Sequence, residues 1–121
     1  MLFRSLWEGI DGSRVLTHFP PTDTYNASAT VEDIIKHDTN FKDNERAAES
    51  TLVYGYGDGG GGPTEEMIER IRRMKDVAGL PKVTHRGPAE FFPRFAADIV
   101  DPLVWSGELY FELHQIGRAH V

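Results

Sequence analysis

The sequence predicts an α/β fold with parallel strands. Three observations carry that reading. Strand-like and helix-like patterns follow one another in the order strand, helix, strand, helix, strand. Met67, Ile68, Ile71, Met74 and Val77 recur at helical spacing between two apolar runs. A glycine-rich loop joins the first of those runs to that helix.

The elements follow in order. Leu2–Trp7 reads as a strand, Gly9–Ser13 as a turn around the tight-turn pair Asp11-Gly12, and Arg14–Phe19 as the returning strand of a hairpin. Pro20-Pro21 ends that strand, because proline donates nothing to a ladder. A polar loop to Ala29 carries Asp23, Tyr25 and Asn26. Thr30 to Asp33 forms a capping box with Asp in place of Glu, and opens a helix with Val31, Ile34 and Ile35 facing inward. Asn40–Ser50 is polar and partly helical, and Thr51–Tyr56 is a buried strand. Gly57–Gly62 is the glycine loop, and Pro63 and Thr64 open the next helix. Glu66–Arg70 and Glu69–Arg73 support that helix as i,i+4 pairs, and Gly79 ends it before Pro81. Lys82–His85 is a short strand, expected parallel to 51–56 through a right-handed crossover. Pro88–Asp98 is a helix broken at Pro93, and Leu103–His114 is a last strand or an extended lead into a helix.

Composition narrows the function. The 121 residues suit one domain, and 40% hydrophobic with 26% charged residues is ordinary globular composition. The net charge of −6 argues against nucleic-acid and anionic-membrane partners. No apolar run reaches the ~20 residues of a membrane span. The absence of cysteine excludes disulfides, thiol catalysis and cysteine zinc sites. Both ends read as cut.

The chemistry concentrates in the segment Thr51–Thr64. Its glycines permit positive φ and a close backbone approach to a ligand, and Asp58 is the ionisable carboxylate among them. A lone carboxylate in such a loop suits an acid, a base or a hydroxyl acceptor; the bland alternative is a solvated loop aspartate. Gly55-x-Gly57-x-x-Gly60 also matches the dinucleotide fingerprint. That rival lacks an acidic residue for the ribose after the next strand, where Arg86 would favour NADP. The Walker pattern fails, since Pro63 follows Gly62 where lysine is needed. Trp7 and Trp105 are amphipathic plates able to stack on a sugar or to fill a core. His18 and Asp23 could ligate a metal, but two ligands without a third are weak, and His18 is expected to be a hydrogen-bonded strand residue. His37 reads as a helix-surface residue.

Three blocks resemble glycoside hydrolase family 38, the zinc-dependent α-mannosidases. They are Leu6–Pro21 (LWEGIDGSRVLTHFPP), Tyr54–Thr64 (YGYGDGGGGPT) and Trp105–His114 (WSGELYFELH). They stand in family order, and the likeness covers residues 2–114. It points to the broad-specificity cytosolic and bacterial branch. The resemblance implies the C-terminal half of a (β/α) barrel-like catalytic domain, incomplete, over residues 1–115. It implies retaining hydrolysis of α-mannosides through a mannosyl–aspartate intermediate, in a cytoplasmic parent that can be homo-oligomeric.

In the family, zinc is held by a His-x-Asp pair, the nucleophilic Asp and a later His. The resemblance puts the first three upstream of Met1 and the last downstream of His114. This chain is therefore expected to hold no metal ligand and no nucleophile, and to be inactive alone. What the resemblance leaves here is the sugar-contacting side. Asp58 matches the acid/base or a hydroxyl acceptor, and Gly59 and Gly60 lie beside it. Tyr25 and Asn26 match a Tyr-Asp substrate pair, from which Asn26 departs. Trp105 matches a tryptophan beside the sugar. Residues 116–121 leave the family pattern and read as the translation of a sequencing adapter, a non-native tail.

Overall fold

The computed structural model describes residues 4–41, 48–57 and 59–107. Six elements run in the order β1 (Arg4–Glu8), β2 (Arg14–His18), α1 (Val31–Asn40), α2 (Glu65–Arg73), α3 (Pro88–Asp98) and β3 (Leu103–Ser106). The sheet is three-stranded and mixed, in the order β2-β1-β3.

The hairpin forms as its sequence dictates. β1 and β2 pair antiparallel, from Arg4 opposite His18 to Glu8 opposite Arg14. The turn is closed by Gly9 N–H on the Ser13 carbonyl at 2.8 Å, with Gly12 at φ 85°. Ser13 donates both its N–H and its hydroxyl to Asp11, and these bonds hold the Asp11 carboxyl below its usual range. β3 pairs parallel on the other side of β1, with Ser5 beside Leu103 and Trp7 beside Trp105. Two strands thus precede three helices, where alternation was expected.

The largest departure lies between α1 and α3. Neither 51–56 nor 82–85 joins a ladder, and the expected parallel strand pair is absent among the described residues. Residues 51–56 are extended and make two single bridges, Ala27 with Tyr54 in parallel and Tyr56 with Gly62 antiparallel. Two apolar runs flanking a helix satisfied the pattern of a βαβ unit, but a ladder also needs neighbouring strands. Leu52, Tyr54, Leu80 and Val83 instead pack their side chains on a cluster of Ala29, Ile34, Met67, Ile71 and Met74. The described elements form a small α/β arrangement with a three-stranded mixed sheet, which bears out the expected fold class.

The helices bury less than their patterns suggest. α1 has the expected capping box: Thr30 Oγ1 accepts Asp33 N–H, and Asp33 accepts Thr30 N–H, both at 3.2 Å. Ile34 is buried, but Val31 and Ile35 are exposed. α2 is capped by Thr64, whose hydroxyl accepts Met67 N–H. Met67, Ile71 and Met74 are buried, whereas Ile68 and Val77 face outward. On the outer side Glu69 accepts from both Arg72 and Arg73, and these bonds pull its carboxyl down to about 2. α3 runs unbroken through Pro93. Pro93 and Ala89, whose carbonyl would have received the missing N–H, are both exposed, so water can take the freed acceptor. Asn40 ends α1; residues 42–47 of the segment expected to be partly helical lie outside the described residues, and 48–50 are irregular. Leu2 and Phe3 of the first expected strand, and 108–114 of the last, also lie outside them.

A second cluster joins α3 to the hairpin. Phe95 is 1% exposed and stacks on Phe91 at 5.0 Å between centroids, with the His18 ring against its edge at 5.1 Å. His18 Nε2 accepts the Thr51 N–H at 3.1 Å, so His18 is the hydrogen-bonded strand residue its sequence suggested. His37 is a correction: it is half-buried, stacked on Phe41 and hydrogen-bonded through Nε2 to the Ser50 hydroxyl.

Two outcomes follow for stability. Phe95→Ala should cost about 3–5 kcal/mol of unfolding free energy, read by denaturant titration. Burial holds the His37 imidazole below its ordinary range. The unfolded chain therefore binds the proton more readily, and the stability is full above the ordinary histidine pKa and lost as pH falls through the lowered one. Hydrogen–deuterium exchange of α1, corrected for intrinsic rates, should be faster at about pH 5.5 than at about pH 7.5, and His37→Gln should abolish the difference.

Candidate glycan-binding site

The described residues carry two groups of the expected site side chains. The first is built on the crossing of the loop after β2 with the extended 51–57 segment. Ala27 N–H donates to the Val53 carbonyl at 3.2 Å, and Gly55 N–H to the Ala27 carbonyl at 2.9 Å. That crossing sets Tyr25 beside Gly57: a Cβ on Gly57 would lie 2.5 Å from Tyr25 Cε2. The aromatic ring thus lies against bare backbone. Asn26 is exposed, and its Oδ1 accepts the Thr24 hydroxyl at 2.5 Å.

Downstream the loop folds back on itself. Tyr56 and Gly62 exchange both main-chain bonds at 2.8 Å, which closes the base of the glycine loop. Gly55 sits at φ 110°, and a Cβ there would meet Pro63 N at 2.8 Å. Gly59 and Gly60 are exposed at φ 143° and 78°, with open space where a side chain would be. Asp58 itself lies outside the described residues.

The second group lies on the sheet. Trp7 and Trp105 are parallel neighbours on one face, 38% and 43% exposed, and so are not core tryptophans. Trp7 Nε1 donates to the Gly107 carbonyl at 2.8 Å.

Sequence reasoning did not find the Tyr54 hydroxyl paired with His85 Nε2 at 2.9 Å, across 31 positions with no local signal. Burial raises the Tyr54 phenol. Both residues line a cavity of about 510 Å³ with His37, Phe41, Leu52 and Arg86. Its lining includes none of Tyr25, Asn26, Gly59, Gly60 and Trp105.

Metal and dinucleotide readings can be tested on this geometry. Among the described residues no group of three or more His, Asp or Glu side chains could hold a metal ion, so they do not form a zinc site. The His18–Asp23 pair gains no third ligand, and His18 Nε2 is already taken by Thr51. The dinucleotide reading places a pyrophosphate at the start of α2. Thr64 already caps Met67 N–H there, and Glu65 and Glu66 occupy the first turn. Both features oppose an anion at that end.

The exposed Tyr25 ring against the glycine loop and the two half-exposed indoles on the sheet are surfaces of a class able to stack on a sugar ring. Comparison with known sequences makes the class specific. The family described as Glycosyl hydrolases family 38 N-terminal domain matches residues 3–108. Alpha-mannosidase G of Dictyostelium discoideum is 56% identical over 110 residues, 91% of this chain and 10% of that protein. Alpha-mannosidase 2C1 of Homo sapiens is 45% identical over 108 residues, covering 89% of this chain and 10% of that protein. The alpha-mannosidase of Saccharomyces cerevisiae is 39% identical over 121 residues, covering 90% of this chain and 11% of that protein. The chain belongs to glycoside hydrolase family 38. It spans about a tenth of the length of these relatives.

Gly55 and Gly57 should respond differently to alanine. Gly55→Ala adds a Cβ against backbone at a left-handed φ, and should cost more than about 2 kcal/mol. Gly57→Ala meets the Tyr25 side chain rather than backbone, and should cost less than Gly55→Ala. Thermal melting of the two variants checks the order.

Proposed function

We propose that this segment supplies part of the sugar-contacting side of a retaining α-mannosidase acting on terminal α-mannosides or oligosaccharides. Family membership supports the reaction class. The observation that carries the site is the Tyr25 ring against Gly57, the residue immediately before Asp58. An aromatic face suits a pyranose, whose apolar face stacks on it, and a carboxylate next in sequence to Gly57 is the kind of group that its hydroxyls and glycosidic oxygen would hydrogen-bond.

In this reading Asp58 acts as the general acid. An aspartate elsewhere in the protein attacks the anomeric carbon, the glycosidic C–O bond breaks, and the Asp58 carboxyl gives its proton to the departing oxygen. The Asp58 carboxylate then takes a proton from water as that water attacks the anomeric carbon and releases the aspartate. A second role for the same carboxylate is to accept a substrate hydroxyl. Tyr25, Asn26 and Trp105 contact the sugar, and the backbone at Gly59 and Gly60 lets it approach. Zinc belongs to this proposal only through residues outside the chain, and no step here runs through it.

The same reading takes the parent as cytoplasmic and able to form homo-oligomers, with no nucleic-acid or membrane partner. Among the described residues no helix is long and apolar enough to cross a membrane.

Asp58→Asn in the full-length protein tests the site. Loss of a positioned acid should lower kcat on natural mannosides by about 10²–10⁴-fold. The melting temperature should be unchanged, since a loop aspartate contributes within about ±0.5 kcal/mol. A mannoside with a very good leaving group separates the two roles: its glycosylation step survives loss of an acid but not of a hydroxyl-gripping carboxylate. Wild-type kinetics on both substrates would remove Asp58 from the reaction.

A further inference from the structure

Trp7 and Trp105 lie side by side on neighbouring parallel strands, and both point to the same face of the sheet. Strand spacing puts their Cβ atoms about 5 Å apart. Both indoles meet one residue, Gly107. Trp7 Nε1 donates to its carbonyl at 2.8 Å, from 100 positions away in sequence. A Cβ on Gly107 would lie 3.5 Å from Trp105 Cζ2 and 3.6 Å from Cε2 and Nε1, so the Trp105 ring runs along that backbone. Gly107 is at φ 142°, where the chain leaves β3. One indole holds its carbonyl while the other lies against its Cα.

This arrangement has mechanical content. An exposed indole N–H can bond to water at almost no net cost. Here it reaches the main chain of another strand, so its direction is fixed. The carbonyl it holds belongs to the turn along which the Trp105 ring lies. Stacking on a sugar depends on the height and tilt of the ring face. A bond that fixes the turn fixes the floor under that ring.

We propose that Trp7 is a positioning residue: through the Gly107 carbonyl, its N–H sets the orientation in which Trp105 meets the sugar. This rests on the reading that Trp105 touches substrate. Trp7 makes no contact with substrate and acts only through its neighbour. Because the bond is made by one atom of the ring, deleting that atom should matter as much as changing the ring.

The test is a cycle in the full-length protein, read as kcat/KM on an α-mannoside. Trp7→Phe keeps an aromatic ring and removes the donor; it should lower kcat/KM by about five- to tenfold, chiefly through KM. Trp105→Ala should lower it at least as much. The double variant should lie within about twofold of Trp105→Ala, because the first residue works through the second. Benzothienylalanine at position 7 keeps the indole shape and replaces only the N–H; it should reproduce the loss, and it decides the matter if Trp7→Phe does not fold. Wild-type kinetics with benzothienylalanine would overturn the proposal and leave the Trp105 reading intact. Losses that multiply in the double variant would also overturn it. Unchanged kinetics in Trp105→Ala would instead remove the reading underneath, whatever Trp7 does.

Discussion

One main-chain hydrogen bond, from the Gly55 N–H to the Ala27 carbonyl at 2.9 Å, holds the Tyr25 side of the site together. Upstream of it lie Tyr25 and Asn26; downstream lies the closed glycine loop. The bond forms only because Gly55 can take φ 110° with Pro63 packed where a side chain would be. Any other residue would press its Cβ against Gly62 and Pro63 at the far end of the glycine loop. The local backbone therefore sets what lies against the Tyr25 ring.

The start of α1 is tied to the same crossing. Asp33 accepts the N–H groups of both Thr30 and Ser28, so the helix cap also holds the loop that leads to Ala27. Between them Ala29 is wholly buried at φ 57°, a left-handed conformation that costs an alanine about 1–2 kcal/mol. Its methyl group packs with Ile34 and Met67, which offsets the strain. Arg70 of α2 reaches across to the Ser28 carbonyl at 3.1 Å while its other nitrogen holds Glu66. Two helices and two loops thus converge on residues 27–30.

What the sequence disclosed was local. The hairpin was legible because Asp11-Gly12 and the two flanking apolar runs are neighbours in the chain. The caps at Thr30 and Thr64 were legible because each acts within three residues. The register of β3 was not, since Trp7 and Trp105 carry no mutual signal across the whole chain. Residues 51–56 and 82–85 misled for a related reason: an apolar run states that it wants burial, not that a partner strand is at hand. Val31, Ile35, Ile68 and Val77 show the same limit, being apolar and helical yet exposed. At the site, Tyr25 and the glycine loop came from motif likeness, while the Gly57–Tyr25 contact came only from the fold. Pro93 was read as a break because proline removes an N–H; on an exposed helix side that removal is nearly free.

The reciprocal bonds between Tyr56 and Gly62 have a further consequence. They form a closed gate at the base of residues 57–61, below which Gly55 and the Thr64 cap are fixed by other partners. Insertions, deletions or exchanges above the gate leave the crossing and the helix where they are. The frame is thus indifferent to what the loop above it carries, and a change in loop length or composition needs no matching change in the scaffold beneath.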